Sequence, residues 1–413
     1  MSDIFKFPQG FLWGAATSSH QVEGGNRNDW TEWEQANTER LAAEAASKFS
    51  YLKNWSEIRA QAKDPANYIS GRAADHYYRF REDFDIAQSL GHNAHRFSIE
   101  WSRIEPEEGK FDEREIEHYR EVIQALRERG LEPFVTLWHW TLPVWVAKQG
   151  GWENPKTISC FSRFCEKIAS ELKNEVRFWI PLNEPGILVG YAYILGLWPP
   201  QKRNIIAAIR AYFNLIKAHQ EVYPRLKNIN PNFVIGIAEA TTWFKNWWSR
   251  PLVHHFKNFF FMGRVRNQLD FVGINYYKRT RLGFCRKCDA SDMGWEIYPE
   301  GLYGIIMEAW SRYHKPIFIT ENGIADARDI KRAEFIRAHL GAVSRVAEGG
   351  VELRGYFHWG LLDNFEWHWG FWPRFGLLEV DYKTLERKIR PSAWEYKKII
   401  EANAVEVEAD KRG

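Results

Sequence analysis

Val176-Arg-Phe-Trp-Ile-Pro-Leu-Asn-Glu-Pro185 is a short apolar run that ends on a carboxylate and a proline. It is too short for a buried helix and too apolar for a surface loop, so it predicts a buried strand. Pro316-Ile-Phe-Ile-Thr-Glu-Asn-Gly323 repeats the arrangement. Glu184 and Glu321 then both stand at the carboxyl end of a strand, the end at which closed α/β barrels carry their functional groups.

Working outward from these two runs, the same criterion finds eight candidate strands. They are Phe11–Ala16, Ala94–Ile99, Pro133–Leu137, Arg177–Leu182, Val234–Ala238, Phe271–Asn275, Ile317–Thr320 and Gly355–Trp359. Helical periodicity fills the gaps at Ala74–Leu90, Arg114–Arg129, Ile158–Leu172, Ile205–Lys227 and Asp329–Glu348. Strands alternating with helices predict a parallel sheet, and eight of them predict closure into a single (β/α)8 TIM barrel over residues 1–413. No G-x-G-x-x-G follows a strand, which removes the main support for an open dinucleotide-binding sheet.

Polar and aromatic residues follow each strand: Gln21 and Glu23, Arg96, Trp138-His139-Trp140, Asn183-Glu184, Glu239, Asn275-Tyr276-Tyr277, Glu321-Asn322, then Trp359 with Asp363, Asn364, Glu366 and Trp367. Their recurrence at one end of the strands predicts a single functional rim. Two carboxylates facing one another there suit glycosidic bond cleavage, one as acid and one as nucleophile or base.

These motifs resemble glycoside hydrolase family 1, the retaining β-glycosidases. The resemblance runs from Phe11-Leu-Trp-Gly-Ala-Ala-Thr-Ser18 and Gln21-Val-Glu-Gly24 through His95-Arg-Phe-Ser-Ile-Glu-Trp-Ser-Arg103, Asn183-Glu-Pro185 and Thr320-Glu-Asn-Gly323. It continues to Trp359-Gly-Leu-Leu-Asp-Asn-Phe-Glu-Trp367 and Arg374-Phe-Gly-Leu377. It implies Glu321 as nucleophile and Glu184 as acid/base, with Arg96 lowering the pKa of Glu321 and Tyr277 donating to it. Asn183 would hold the sugar 2-hydroxyl. Gln21, His139, Trp140, Asn275, Trp359, Glu366 and Trp367 would complete a sugar pocket. Taken alone, His139 reads better as a hydrogen-bonded core histidine; its place between two tryptophans after a strand favours the sugar role.

Family members acting on 6-phosphorylated sugars carry serine where Glu366 stands, and Lys and Tyr near Pro373 and Phe375. The carboxylate therefore implies an unphosphorylated β-D-glucosyl, galactosyl or fucosyl unit. Transglycosylation uses the same residues. A catalytically silent sugar-binding protein would be expected to lack one carboxylate, and both are present.

The bulk composition agrees with a globular enzyme: 45% of residues are hydrophobic, and a net charge of +3 over 413 residues argues against a nucleic-acid partner. Twenty-one tryptophans exceed the usual share and read either as core filling or as sugar platforms. Four cysteines make no disulfide framework. Cys285 and Cys288 form one C-x-x-C without a partner motif, leaving free thiols or a structural metal open. The absence of an apolar leader or a bilayer-length span implies a reducing, cytoplasmic location.

The segment between strands five and six, 241–270, is short for the family and rich in aromatics. It carries Trp243, Phe244, Trp247, Trp248, Phe256, Phe259, Phe260 and Phe261, with His254 and His255. A compact helix packed on the barrel, an exposed patch for self-association, and a site for a planar cofactor such as haem are the three readings. The site itself requires no cofactor and no metal.

Overall fold

The computed structural model describes residues 2–244, 250–280 and 289–408. Its strands are β1 (Ser2–Lys6), β2 (Leu12–Ala16), β3 (Ala94–Ser98), β4 (Glu132–Thr136), β5 (Phe178–Ile180), β6 (Val234–Phe244), β7 (Phe271–Thr280) and β8 (Ile317–Asn322). They continue with β9 (Leu353–Trp359), β10 (Leu378–Val380), β11 (Arg387–Ile389) and β12 (Ala404–Glu408). Strands β2 to β9 close a parallel barrel in chain order, the architecture expected from the sequence. Closure runs from the pairing of Leu12 with Gly355 to that of Ala16 with Trp359. A Cβ on Gly323 would sit 1.8 Å from the Trp359 carbonyl oxygen. The glycine of Thr320-Glu-Asn-Gly323 therefore permits a close approach of backbones at the rim.

Phenylalanines plug the barrel interior. Phe134 stacks on Phe178 at 4.1 Å and meets Phe357 at 4.8 Å and Phe318 at 5.2 Å. Ala16, Ala94 and Ala238 are the small partners that let these rings fit. The other faces of the strands, including Ile235, Ile237, Ile274 and Ile319, pack in the larger cluster shared with the helices. Burial on both faces is why the strands read as continuous apolar runs.

Three strands run past their sequence-predicted ends, β8 to Asn322 and, further, β6 to Phe244 and β7 to Thr280. β6 and β7 run on together through Trp243 paired with Arg279 and Phe244 with Thr280. Their last turns are polar and aromatic, so an apolar criterion stops short of them. All five expected helices are present, as His76–Ser89, Glu113–Glu128, Lys156–Glu171, Ile205–Ile229 and Arg332–Glu348. Helices Asp29–Phe49, Trp55–Ala62, Pro299–Tyr313 and Pro391–Ala402 were not expected. The first begins at a reciprocal cap in which the Thr31 amide donates to Asn28 Oδ1 (3.0 Å) and the Asn28 amide to Thr31 Oγ1 (2.9 Å).

Within 241–270, helix His255–Val265 packs on the barrel through Phe259, Phe261, Met262 and Val265, the first of the three readings. Leu252 (82%) and Phe256 (57%) stay exposed. His254 is engaged at both ring nitrogens, Nε2 with Glu308 (2.9 Å) and Nδ1 with Asn258 (3.1 Å). Trp247, Trp248, Cys285 and Cys288 lie outside the described residues. Among the described residues no helix is long and apolar enough to cross a membrane, and no three His, Cys, Asp or Glu side chains gather as a metal site.

Candidate active site

A cavity of about 320 Å³ opens at the carboxyl end of the barrel. Ten of the twelve residues singled out from the sequence line it: Gln21, His139, Trp140, Glu184, Asn275, Tyr277, Glu321, Trp359, Glu366 and Trp367. The other two, Arg96 and Asn183, are fully buried and bonded to its wall residues. The phenylalanine plug closes the barrel below them, so the polar layer rests on a rigid apolar base.

Arg96 ties this layer together. Its Nη1 donates to Glu321 Oε1 (2.5 Å) and to the Thr320 carbonyl (3.1 Å), and its Nη2 to Asn183 Oδ1 (2.6 Å). The Tyr277 hydroxyl donates to the other Glu321 oxygen at 2.6 Å. Both oxygens of Glu321 are thus fixed by donors. Glu184 accepts from Asn275 Nδ2 (2.7 Å), and Asn275 Oδ1 in turn accepts from the Thr320 hydroxyl (2.6 Å).

The two carboxyls differ in environment. Burial, and then the charge of Glu321, push Glu184 up to about 8. Burial also raises Glu321, against the pull of the Arg96 guanidinium and the Tyr277 hydroxyl. Arg96 does pull Glu321 downward, as expected, but desolvation outweighs it and the net direction is up. With the guanidinium at 2.5 Å, Glu321 is the carboxyl that ionises first. Glu366 is raised to about 7 by burial, with Asn364 (2.9 Å) and Gln21 (3.3 Å) donating to it.

Arg96 can only donate, so it fixes the Asn183 amide with its oxygen inward and its Nδ2 toward His139 Nε2, 3.1 Å away. His139 Nε2 is then the acceptor, and the proton sits on Nδ1, which has no partner among the described residues. Burial and Arg96 hold this imidazole well below its ordinary pKa, hence neutral. Trp140 donates its indole N–H to the Asn183 carbonyl (3.0 Å), and Trp367 packs against Trp140 and Trp30 at 4.8 and 4.6 Å. Trp140, Glu184 and Trp367 all adopt left-handed backbone, with φ of 80°, 45° and 53°. Three strained non-glycine residues on one cavity mark a surface held in shape by its surroundings.

Three carboxylates assigned to the rim do not reach the cavity. Glu23 accepts from Arg103 (3.0 Å) and Tyr119 (2.8 Å), structural bonds behind the wall. Glu239 is buried off the cavity and is pushed up to about 8 by desolvation. Asp363 accepts two bonds from Arg390, each 2.9 Å, and one from the Gly376 amide (3.0 Å). Strand-end position alone cannot tell inward from outward side chains. Asp363 anchors the loop that carries Glu366 and Trp367, so Asp363→Ala should cost about 3–5 kcal/mol by taking from buried Arg390 the carboxylate that meets both its terminal nitrogens. Chemical denaturation checks this; a loss below about 1 kcal/mol would contradict the anchoring role.

The outer part of the cavity was missed from sequence. Lys257, Lys278, Trp295, Trp369, Tyr191 and Phe244 line it. Lys278 and Phe244 fall on the unrecognised ends of β7 and β6. Trp295 follows a loop with no periodic signal.

Residues 4–258 and 273–405 match the family model described as Glycosyl hydrolase family 1. The chain is 32% identical to Beta-glucosidase A of Thermotoga maritima, the match covering 98% of this chain and 100% of that one. It is 29% identical to a beta-galactosidase of Sulfolobus acidocaldarius, over 98% and 97%. Its fold superposes on a beta-glycosidase from Pyrococcus horikoshii with a TM-score of 0.84 at 36% identity, over 98% and 96%. With the barrel, the paired carboxyls and these matches agreeing over almost its whole length, the chain belongs to glycosyl hydrolase family 1 and is an O-glycoside hydrolase.

Proposed function

We propose that this enzyme is a retaining exo-β-glycosidase that removes terminal β-D-glucosyl, and also β-D-galactosyl and fucosyl, units by double displacement. The observation that carries this reading is the contrast between Glu184 and Glu321 on one cavity: one carboxyl raised to about 8, the other bonded to a guanidinium. Glu321 is the nucleophile and attacks the anomeric carbon. Glu184, protonated at neutral pH, delivers its proton to the leaving oxygen. Forming the glycosyl ester removes the charge of Glu321, which is one of the causes raising Glu184. Glu184 then becomes acidic enough to take a proton from water in the second step.

The remaining residues follow from this chemistry. Asn183, fixed by Arg96, meets the 2-hydroxyl. The free Nδ1–H of His139, the Gln21 amide and the Glu366 carboxylate take the other hydroxyls, with Trp359 as an apolar floor. An unphosphorylated sugar fits Glu366, whose carboxylate would repel a phosphate.

Turnover of aryl β-D-glucoside, galactoside and fucoside, with the α-anomers as controls, tests the reading. Proton NMR of the first-formed sugar should show the β-anomer. An α-anomer as first product, or no turnover of any β-glycoside, would sink it. For substrates with poor leaving groups, kcat/KM should fall as pH rises through about 8, because deprotonated Glu184 has no proton to give. With a 2,4-dinitrophenyl leaving group that alkaline limb should weaken. An identical limb for both substrates would contradict the acid role.

A further inference from the structure

Two lysines, Lys257 and Lys278, join Glu184, Glu321 and Glu366 on the cavity wall, beside Thr242, Thr280 and Trp295. Glu184 and Glu321 are buried, whereas Lys278 and Thr280 lie further along β7 than Tyr277 and are half-buried, as is Trp295. The ammonium of Lys278 stands 4.8 Å from the centre of the Trp295 ring. Lys278 is half-buried, and among the described residues no carboxylate lies within ion-pair distance of it. Lys257 Nζ donates to the Ala240 carbonyl (2.8 Å), which leaves two of its N–H groups. Its nearest charge partners are Glu239 and Glu184. Burial, and then the charge of Lys257, lower Lys278 to about 8. Lys257 thus has carboxyl partners, whereas Lys278 faces the cavity at a cost in desolvation and repulsion from Lys257, with the Trp295 ring face beside it.

An anion at that position would reverse both terms, and the substrate can bring one. The sugar occupies the inner carboxylate-lined part, so the group reaching the lysines belongs to the leaving side of the glycosidic bond. We infer that Lys278 and Lys257 select β-glycosides whose leaving group bears an anionic substituent such as a carboxylate. This inference rests on the β-glycosidase reading and extends it to the aglycone. The aromatic walls, Trp295, Phe244 and Trp369, fit a ring-bearing acid. The neutral sugar and the charged leaving group then match the two charge regions of the cavity.

The test compares 4-carboxyphenyl β-D-glucoside with its methyl ester at pH 6.5, below the Lys278 value, in low salt. The ester is intrinsically the better leaving group, so the informative quantity is the acid-to-ester ratio of kcat/KM in each protein. Lys278→Gln should lower that ratio about 10-fold, mainly through KM of the acid, and Lys278→Arg should retain most of it. In the unaltered enzyme the ratio should fall as salt rises to 0.5 M, since screening weakens the contact. A ratio insensitive both to Lys278→Gln and to salt, with both glucosides hydrolysed, overturns the inference and leaves the glycosidase reading standing. No turnover of either glucoside overturns the glycosidase reading itself, and this inference with it.

Discussion

Replacing Glu321 with alanine is expected to lower kcat/KM for an aryl β-glucoside on the order of 10⁴- to 10⁶-fold, the loss typical of removing a nucleophile from a preorganised site. The barrel should survive the change. Arg96 keeps its bonds to Asn183, Thr136 and the Thr320 carbonyl, so the guanidinium is not stranded. The small space left behind lies against the face of the sugar that Glu321 would attack. Azide placed there should restore part of the turnover on an activated substrate, with an α-glycosyl azide as product. That inverted product is the decisive readout, because a merely structural glutamate would give none. Turnover unchanged in Glu321→Ala would remove this residue from the mechanism.

The second large effect concerns Glu184, and its size should depend on the substrate. For leaving groups that need a proton, Glu184→Ala should cost about 10²- to 10⁴-fold in kcat/KM. For 2,4-dinitrophenyl β-glucoside the loss should be much smaller in kcat/KM and should appear instead in kcat. There the second step still lacks its base. Azide should relieve that step too, now giving the β-glycosyl azide, since Glu321 remains to form the intermediate. Opposite anomers of glycosyl azide from the two alanine variants would assign the two roles independently. Equal losses across all leaving groups would contradict the division of labour.

The barrel was legible in the sequence because its strands are buried on both faces and so appear as unbroken apolar runs. The eight runs located the eight strands, and the polar residues after them located the rim. What failed was direction and reach. Glu23, Glu239 and Asp363 sit at strand ends just as Glu184 does, yet their side chains enter the shell between barrel and helices, where Arg103 and Arg390 meet two of them. A one-dimensional pattern contains the position but not the twist that decides which way each side chain points. The ends of β6 and β7 were missed because Thr241–Phe244 and Tyr276–Thr280 mix hydroxyls, rings and cations. With them went Lys278, on which leaving-group selection turns. Helix Asp29–Phe49 was missed for another reason. It is weakly amphipathic, and its buried tryptophans, Trp30 and Trp33, pack on one another and behind Trp367 of the cavity wall. Net direction of pKa was also beyond reach, since desolvation depends on how many layers of protein cover a group.

The backbone of Glu184 has a φ of 45°, a conformation that costs an L-residue roughly 1–2 kcal/mol and glycine almost nothing. The same residue also keeps a carboxyl out of water. A version of this molecule with glycine at position 184 would therefore be a poorer catalyst yet more resistant to heat. Durability and turnover compete for a single site, and the chain has settled that contest in favour of chemistry.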